Sequence, residues 1–413
     1  MQQENLNTAK SHWEKILHIS LFVYLLLLIF PHVTTLREIA FWTAFLSWVL
    51  SRLRKSEPFI ALNPIIVSLS LFMVIAFISS LTGMEPFENL KRFKGELIVP
   101  FILFLITATE FNSIEKIKRL LLAPIIAFAV YTLLAIVEST NYGLQYFWDK
   151  AYREQYLWLT NYSHMAAITL PLILGIFLFV KNRWLKYFLA TFAILEFAIL
   201  AAYRSIAPFL GVVISLFIFI FTVLIYTQKD NPAINEYRTK FEKIINISGE
   251  LKSERGFSGR ISLWRTAVDI IKDRPLLGYG WGMKKFPKLV QQEKFLEKWR
   301  VDNPSVYNTY TTYKGVNLPP HNLFFEIAIQ SGLLGLAAFI IFIGIYLYSI
   351  IKETLRHSSE TDNNLLVILI GGTFLSFFIM NLMNNELGNV SGKILFIVLG
   401  AGAAWINRTV RNI

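Results

Sequence analysis

The sequence of 413 residues contains no cysteine. This absence excludes a disulfide framework, a thiolate metal site and a cysteine nucleophile. The chain also lacks the spacings typical of a paired-carboxylate glycosidase, a metal-ligand cluster or a Ser/His/Asp triad. The sequence therefore predicts no bound metal and no cofactor.

Charged residues are scarce. They make up 16% of the chain, whereas hydrophobic residues make up 54% and the mean hydropathy is +0.49. Ordinary soluble domains carry about 25% charged residues, so this composition excludes one. Apolar runs of the roughly 20 residues that cross a bilayer recur from end to end. Because they are continuous and rich in Leu, Ile and Phe, they favour helices over barrel strands.

The sequence predicts an all-α, polytopic integral membrane protein with about 11–12 transmembrane helices. The apolar runs are 16–31, 36–51, 63–82, 95–109, 117–137, 161–180, 185–203, 206–226, 321–351, 363–383 and 391–407. The first run precedes no small-residue cleavage site, so we interpret it as a retained helix. Short basic loops are predicted to be cytoplasmic. Their basic residues are Arg52, Arg54, Lys55, Lys116, Lys118, Arg119, Lys181, Arg183, Lys186, Arg408 and Arg411.

One long polar segment interrupts the apolar runs. Residues 227–320 carry 17 Lys and Arg against 10 Asp and Glu and contain no spanning run. We therefore divide the chain into N-terminal transmembrane helices (1–226), one large extramembrane loop (227–320) and C-terminal transmembrane helices (321–413). Apolar spacing predicts short amphipathic helices over 231–252 and 261–272 that lie on the membrane surface.

The number of crossings conflicts with this division at one point. Counting from the basic loop at 181–186 returns Thr227 to the cytoplasm, whereas counting from the C-terminal tail puts His321 on the far side. One crossing is missing, or one run does not cross. Pro208 and Gly211 make a broken or re-entrant helix one explanation.

A histidine marks the border between the loop and the next apolar run. His321 follows two prolines, whose fixed φ suits the start of a helix. Asn322, Glu326 and Gln330 follow at helical spacing, so one face of an otherwise apolar helix carries polar groups into the bundle. His321 is either a proton-transferring group at the membrane interface or a solvated or capping residue.

Arg204 lies between two apolar runs, where an unpaired arginine costs at least a few kcal/mol. Glu196, eight residues earlier, is one candidate partner for an ion pair. The alternative partner is a diphosphate, which a guanidinium grips through two parallel hydrogen bonds.

Two further arginines lie in the loop. Arg260 stands at the beginning of the predicted helix 261–273, where free backbone N–H groups favour an anion. Arg265 is another candidate for anion binding, although Asp269 at i+4 is a possible surface partner.

The net charge of +12 suits either anionic lipid head groups or phosphorylated substrates. Lys91 and Arg92 lie on the side opposite the basic loops. They either snorkel to head groups or help to attract a phosphorylated lipid.

The loop also carries a glycine-rich segment and several aromatic residues. The segment Pro275–Gly282 reads PLLGYGWG, but no strand precedes it, so it is interpreted as tight turns and not as a dinucleotide site. Trp299, Tyr307, Tyr310 and Tyr313 either stack on sugar rings or form a packed lid.

Three ordered elements within residues 255–335 resemble the O-antigen ligase family and its Wzy-type polymerase relatives. They are an arginine after a small-residue turn, the Pro-Leu-Leu-Gly-x-Gly-x-Gly turn, and His-Asn-x-x-x-Glu ahead of Gly-Leu-Leu-Gly. The resemblance implies a metal-independent glycosyltransferase in the cell inner membrane that acts in lipopolysaccharide biosynthesis. Such an enzyme moves a glycan from undecaprenyl diphosphate to a hydroxyl of the lipid A-core oligosaccharide on the periplasmic face. Its implied partners are these two substrates and membrane lipids, with no nucleic acid.

The resemblance also implies roles for particular residues. The family histidine falls on His321, which would act as general base. The family arginines fall on Arg204 and Arg260, which with Arg265 would bind the diphosphate. Supporting contacts to substrate are assigned to Asn322, Glu326, Lys91 and Arg92. The match at Arg204 is the weakest, because Tyr203 and Ser205 replace the small residues that flank the arginine in relatives.

Other functions use the same features. A Wzy-type polymerase would join the glycan to a second lipid-linked glycan, and a protein O-oligosaccharyltransferase would join it to a protein hydroxyl. A non-enzymatic alternative is a glycolipid flippase or transporter, which predicts internal repeats and broken helices at the midplane. We see no internal repeat in this sequence.

Overall fold

The computed structural model describes residues 2–30, 32–53, 62–111, 113–143, 145–149, 162–203, 205–227, 254–282, 285–312, 320–356 and 361–411. The regular secondary structure of these residues is helical. The first part contains α1 (Gln2–Leu28), α2 (Thr34–Leu53), α3 (Pro64–Thr82), α4 (Pro86–Phe93), a π-helical turn (Lys94–Ile98), α5 (Val99–Glu110), α6 (Ile114–Ser139) and α7 (Gln145–Trp148). Then follow α8 (Tyr162–Phe179), α9 (Arg183–Ala202), α10 (Ile206–Thr227), α11 (Glu254–Asp273), α12 (Lys285–Leu289), α13 (Glu293–Asp302) and α14 (Pro304–Thr312). The last helices are α15 (Leu323–Arg356), α16 (Thr361–Asn381) and α17 (Val390–Arg411).

Each predicted apolar run coincides with helical structure, so the predicted all-α fold is confirmed. Within the described residues, four helices are long and apolar enough to cross a membrane. They are Pro64–Thr82, Ile114–Ser139, Arg183–Ala202 and Leu323–Lys352. Shorter apolar segments are Tyr162–Leu178, Ile206–Phe217, Leu369–Asn381 and Val390–Ile406.

Side-chain caps fix several of the helix starts. Asn63 Oδ1 accepts a hydrogen bond from Ile66 N at 2.7 Å, and Pro64 occupies the first position of α3. Ser113 Oγ accepts from Lys116 N at 3.3 Å at the start of α6. These caps satisfy backbone N–H groups that have no partner inside the helix.

Helices α8 and α10 both run antiparallel to α16. Ser376 Oγ donates to Ala167 O at 2.6 Å. A Cβ added at Gly211 would lie 2.7 Å from Ser376 O, and one at Gly175 would lie 1.6 Å from Leu369 Cδ1. The starts of α8 and α10 therefore lie level with the end of α16.

The helices of the predicted extramembrane loop lie at this same end of the bundle. Asn322 Nδ2, just before α15, donates to Leu382 O at 2.9 Å, just after α16. Trp264 Nε1 in α11 donates to Pro320 O at 3.0 Å. Ser79 Oγ, near the end of α3, lies 2.6 Å from Gln330 O. We call this the loop end, defined by the end of α3 and the starts of α8, α10, α15 and α17.

The short basic loops lie at the opposite end. Arg52 Nε donates to Glu110 Oε1 at 2.6 Å, and Trp48 Nε1 donates to Thr109 Oγ1 at 3.0 Å. These contacts hold the end of α2 against the end of α5, just ahead of α6. Because α8 and α17 start at the loop end, they finish at the opposite end, where Arg52 and Glu110 lie. The predicted basic loops therefore share that end of the bundle.

The structure shows the same conflict in the number of membrane crossings that the sequence raised. Helix α10 begins at the loop end and runs away from it. Leu216 lies beside Gly372 at a small cavity, which is farther from the loop end of α16 than Ser376. Helix α11, in contrast, lies at the loop end. The segment 228–253, which separates α10 from α11 in the chain, lies outside the described residues, as does the predicted helix 231–252.

Helix α15 is broken at Gly332, where φ is 69° and ψ is −176°. The sequence predicted one continuous span, so this break is a correction. The backbone of the PLLGYGWG segment hydrogen-bonds to residues on both sides of the break. Leu333 N donates to Pro275 O at 2.7 Å, and Tyr279 N donates to Ile329 O at 2.9 Å. The two glycine-rich motifs thus pair with each other, because the break frees backbone groups that the turn segment satisfies.

The loop helices share a hydrophobic core of their own. It contains Ala267, Ile270, Tyr279, Phe286, Leu289, Val290, Phe295, Trp299, Val306, Tyr310 and Ile329. Trp299 and Tyr310 are 1% and 3% exposed, with ring centroids 5.8 Å apart. Of the two interpretations of the loop aromatics, the packed one fits these residues. Tyr307 is partly buried against this core, and Tyr313 lies outside the described residues.

Candidate functional site

His321 lies at the loop end between α11 and the start of α15. Its backbone φ is 47°, in the left-handed region. Asn322 Oδ1 accepts from Phe324 N at 2.9 Å and from Phe325 N at 3.2 Å, so Asn322 is the N-cap of α15. The chain turns sharply before the cap, and the partly buried imidazole lies just outside the helix.

The predicted polar stripe on α15 is confirmed as buried. Asn322, Glu326 and Gln330 are 8%, 2% and 2% exposed. Gln330 Nε2 donates to Glu326 Oε1 at 2.7 Å, and Gln330 Oε1 accepts from Gly282 N at 3.0 Å. Glu326 Oε2 has no hydrogen-bond partner among the described residues. The stripe therefore links the PLLGYGWG segment, through Gln330, to the buried Glu326 in the first turn of α15.

A second group of polar residues lies on the π-helical turn between α4 and α5. Glu96 Oε2 accepts from Trp281 Nε1 at 3.0 Å. Arg92 Nε donates to Glu88 Oε1 at 3.2 Å, and another Arg92 nitrogen lies 3.7 Å from Glu96 Oε1. Lys91 is exposed. Arg92 is therefore held by two carboxylates, while Lys91 faces outward at the same end of the bundle. Such π-helical insertions recur at functional sites.

The turn Leu382–Asn389 contacts both the polar stripe of α15 and the π-helical turn that carries Glu96. Its first residue, Leu382, accepts the hydrogen bond from Asn322. At its other end, a Cβ added at Gly388 would lie 3.2 Å from Glu96 Oε2. Sequence reasoning missed this turn. The signal for it was the polar tract NNELGN between two apolar runs.

Within this turn, Glu386 lies against a second histidine. Glu386 Oε1 is 3.2 Å from His164 Nδ1, near the start of α8. Sequence reasoning missed this pair as well. The signal for His164 was its position at the start of an apolar run, which parallels that of His321.

Arg204 lies outside the described residues. The Tyr203 ring stacks on that of Tyr162 with centroids 6.3 Å apart, at the loop end. Glu196 is fully buried, and its two carboxylate oxygens accept hydrogen bonds from Thr132 and Tyr162. The proposed Glu196–Arg204 ion pair is a prediction outside the described residues.

Arg260 lies within a helix and not at its start. Helix α11 begins at Glu254, ahead of the predicted start at Ile261. Gly256 and Gly259 each weaken a helix by about 1 kcal/mol, which is why apolar spacing alone predicted the later start. The interpretation that free backbone N–H groups beside Arg260 attract an anion is therefore wrong. The side chain of Arg260 lies outside the described part.

Arg265 is exposed on a groove of about 450 Å³ that reaches Phe325 in the first turn of α15. The groove is lined by Ile261, Trp264, Arg265, Val268, Asp269, Lys272, Lys298, Asp302, Asn303 and Phe325. Asp269 accepts hydrogen bonds from Lys298 Nζ at 2.6 Å and Trp299 Nε1 at 3.0 Å. Within the described residues, Arg265 makes no ion pair. The expected surface pair with Asp269 is thus replaced by Lys298.

Burial raises the pKa of Asp269, but the hydrogen bonds from Lys298 and Trp299 outweigh it, so the pKa lies below its ordinary value. Asp269 is therefore an anion at neutral pH, and the groove carries both signs of charge beside apolar walls. Within the described part of the chain, no cluster of three or more His, Asp or Glu has the arrangement of a metal site.

The family model described as O-antigen ligase matches residues 156–340. The match begins just before α8 and ends within α15, so it includes both His164 and His321. The predicted resemblance is confirmed. No curated protein matches the chain.

Proposed function

We propose that this chain, whose residues 156–340 belong to the O-antigen ligase family, is the transferase that completes a lipopolysaccharide. It would transfer a glycan from undecaprenyl diphosphate to a hydroxyl of the lipid A-core oligosaccharide. The observation that carries the proposal is the setting of His321. Its ring lies at the boundary of the bundle and the loop helices, where a lipid-linked donor and a water-soluble sugar are both within reach.

His321 is the general base of the proposed reaction. A sugar hydroxyl is a poor nucleophile at neutral pH, and a histidine with an ordinary pKa near about 6.5 accepts its proton as the sugar C1 is attacked. The Asn322 cap and the contact of Trp264 with Pro320 hold the backbone on both sides of this ring. This support fixes the backbone that carries the imidazole.

Arginine residues stabilise the leaving diphosphate. Arg204 and Arg260 correspond to the family arginines by the resemblance, and Arg265 is exposed on the groove that reaches Phe325 at the start of α15. Charge-assisted hydrogen bonds from a guanidinium are strong where water is excluded. Arg92 and Lys91 lie at the same end, and they would attract the anionic donor to the site.

Asn322 and Glu326 support the proposed site from inside the bundle. Asn322 joins the helix start to the Leu382 carbonyl, and Glu326 is fully enclosed beneath it. Both act by holding the backbone that carries His321. The chemistry of the proposed transfer uses the carrier diphosphate as leaving group, so the mechanism requires no metal and no cofactor.

The loop end faces the periplasm in this proposal. Short loops rich in Lys and Arg stay in the cytoplasm, and those of this chain share the opposite end of the bundle. The enzyme would therefore lie in the cell inner membrane with residues 227–320 outside. The glycan would be transferred on the side where lipid A-core is completed.

A reconstituted transfer assay tests the proposal. The purified protein receives a glycan on undecaprenyl diphosphate and one of three acceptors: rough lipopolysaccharide, a second lipid-linked glycan, or a protein with exposed serines. Transfer to lipopolysaccharide supports the ligase. Transfer only to the second or third acceptor identifies a polymerase or a protein O-oligosaccharyltransferase. Movement of the lipid across vesicles without transfer would identify a flippase.

A further inference from the structure

Two ion pairs join α11 to α13. Asp273 accepts a hydrogen bond from Lys294 Nζ, and Asp269 accepts one from Lys298 Nζ at 2.6 Å. A step of four residues forward along α13 therefore corresponds to a step of four residues back along α11. The two helices run in opposite directions, and their charged residues face each other at intervals of about one helical turn.

The third position of this series is open. One further step brings Asp302, the last residue of α13, level with Arg265, so here the carboxylate is on α13 and the cation on α11. Both residues are exposed, and both line the groove of about 450 Å³. Among the described residues neither forms an ion pair, and the Asp302 carboxylate accepts no hydrogen bond. The groove thus separates two opposite charges that lie at the same level.

The α13 wall of the groove presents hydrogen-bonding groups of both kinds. Asp302 offers carboxylate oxygens, which only accept. Asn303 also lines the groove, and its Oδ1 accepts a hydrogen bond from Ser305 Oγ at 3.1 Å. Its Nδ2, which has no acceptor among the described residues, remains as a donor. A hydroxyl both donates and accepts, so two neighbouring hydroxyls can donate to Asp302 and accept from Asn303.

Apolar side chains make up much of the remaining lining. The rings of Trp264 and Phe325 have centroids 5.9 Å apart, and Ile261 and Val268 are exposed on the same face of α11. A sugar ring has apolar C–H faces and a rim of hydroxyls, so aromatic and polar residues together suit it. The volume of the groove also lies within the range of roughly 300–1,000 Å³ that is typical of small-ligand sites.

The charge of Asp302 decides which ligand suits the α13 wall. A carboxylate repels a phosphate, whereas it accepts hydrogen bonds from neutral hydroxyls. The wall that carries Asp302 and Asn303 therefore suits an uncharged sugar. The diphosphate contact proposed for Arg265 lies on the opposite wall.

One end of the groove meets the segment that carries the proposed base. Trp264 Nε1 donates to Pro320 O at 3.0 Å, and Pro320 directly precedes His321. Phe325 lies four residues after His321, in the first turn of α15. The base must contact the acceptor hydroxyl, whereas the donor is held by its diphosphate. The location of the groove therefore favours the acceptor saccharide over the glycan of the donor.

We propose that Asp302 and Asn303, together with the ring of Trp264, form a subsite for a neutral sugar of the acceptor saccharide. Asp302 accepts a hydrogen bond from one hydroxyl of that sugar, and Asn303 donates one to the neighbouring hydroxyl. The subsite binds and orients the acceptor and does not touch the reacting atoms. This inference rests on the proposed function, because it assigns the place of that reaction's acceptor.

Calorimetric titration of the full-length protein in nanodiscs tests the subsite. The first probe is the core oligosaccharide of rough lipopolysaccharide, released from lipid A and freed of phosphate. We expect Asp302→Asn to weaken its binding about tenfold, because a hydrogen bond to a charged group is lost. The second probe is undecaprenyl diphosphate. It should bind no more weakly than to the wild type, since the substitution removes a negative charge.

Glu297→Gln is the matched control. Glu297 is an exposed carboxylate on α13 that does not line the groove, so this substitution removes the same charge from the same helix. The control should bind the core oligosaccharide as the wild type does.

Asn303→Asp is the second test variant. It keeps the oxygen that accepts from Ser305 and loses the Nδ2 donor. We expect it to weaken binding of the core oligosaccharide as well. Thermal unfolding checks that each variant folds, and the two substitutions test the α13 wall separately.

Unchanged binding of the core oligosaccharide by folded Asp302→Asn would overturn the proposal, as would equal weakening in Glu297→Gln or an absence of binding by the wild type. Tighter binding of undecaprenyl diphosphate, with no change for the core oligosaccharide, would instead identify an anion site. The free glycan of the donor is the third probe. If it alone lost affinity in Asp302→Asn, the groove would hold the donor and the acceptor assignment would be wrong.

Failure of the subsite and failure of the proposed function give different results. A wild type that transfers glycan while Asp302→Asn binds the core oligosaccharide normally refutes the subsite alone. A wild type whose binding of the core oligosaccharide depends on Asp302, but which transfers no glycan to any acceptor, refutes the proposed transferase instead.

Discussion

The carbonyl oxygen of Leu276 fills the space beside Gly332 into which a side chain would project. A Cβ at position 332 would lie 2.0 Å from that oxygen. The contact joins the PLLGYGWG turn to the break in α15, and the same break sets the direction of the helix that carries the polar stripe. Backbone contacts at this break thus join the PLLGYGWG turn to α15.

Gly332→Ala should therefore disrupt the site from a distance. The left-handed backbone costs a non-glycine residue about 1–2 kcal/mol, and relief of the clash requires the PLLGYGWG segment to move. We expect a lower unfolding temperature and loss of transfer. The control is Gly344→Ala on the same helix, where a Cβ meets nothing within 4 Å. That variant should be as stable as wild type or more so, because alanine favours a helix by about 1 kcal/mol.

His321→Ala should abolish transfer while membrane insertion and carrier binding persist. Loss of a general base lowers the rate by about 10²–10⁴-fold. His321→Gly is a useful companion, since glycine adopts the observed φ of 47° without strain. Both variants should unfold close to the wild-type temperature. Full transfer by either purified variant would eliminate His321 as the base.

Asn322→Ala should lower stability through the loss of a helix cap. The substitution removes two bonds to backbone N–H groups and one to Leu382 O. Caps contribute about 0.5–2 kcal/mol, and we expect a loss in that range by thermal unfolding. Asn322→Asp keeps the capping oxygen but loses the donor to Leu382 O. Its unfolding temperature should therefore lie between those of the wild type and Asn322→Ala. An Asp variant as unstable as the Ala variant would contradict the capping role.

Arg260→Lys separates charge from geometry. Lysine keeps the positive charge but loses the planar fork that binds a diphosphate through two hydrogen bonds. We expect a rise in KM for the lipid-linked donor of about tenfold and no change in the KM for the acceptor. Arg265→Lys at the exposed groove provides the comparison. An unchanged rate with Arg260→Lys would argue against bidentate contact.

Asp273 should make the loop core sensitive to acid. Hydrogen bonds from Lys294 and Tyr279 hold the pKa of Asp273 below its ordinary value of 3.8. Because the folded pKa is depressed, the stabilisation is complete above pH 3.8 and is lost as the pH falls through the folded pKa. We expect Asp273→Asn to remove this acid-dependent loss, measured by the fluorescence of the loop tryptophans. An identical acid transition in the wild type and in Asp273→Asn would contradict this role of Asp273.

The candidate site was only partly predictable from the sequence. His321 and the stripe Asn322–Gln330 were predictable because their polarity interrupts a local apolar pattern. His164 and Glu386 were not, since they lie far apart in the chain and each alone resembles an ordinary residue at a helix end. The helix that contains Arg260 was predicted to begin too late, because two glycines hide its first turns.

The sequence by itself determined the membrane class, the succession of apolar helices and the position of the large polar loop. These follow from length and hydropathy, which are local quantities that a bilayer selects directly. Only the tertiary structure decided that Gly332 breaks its helix against Leu276, and that the Leu382–Asn389 turn lies between two histidines. Both depend on close approach of segments distant in sequence, and the apolar periodicity of a single helix carries no information about such an approach.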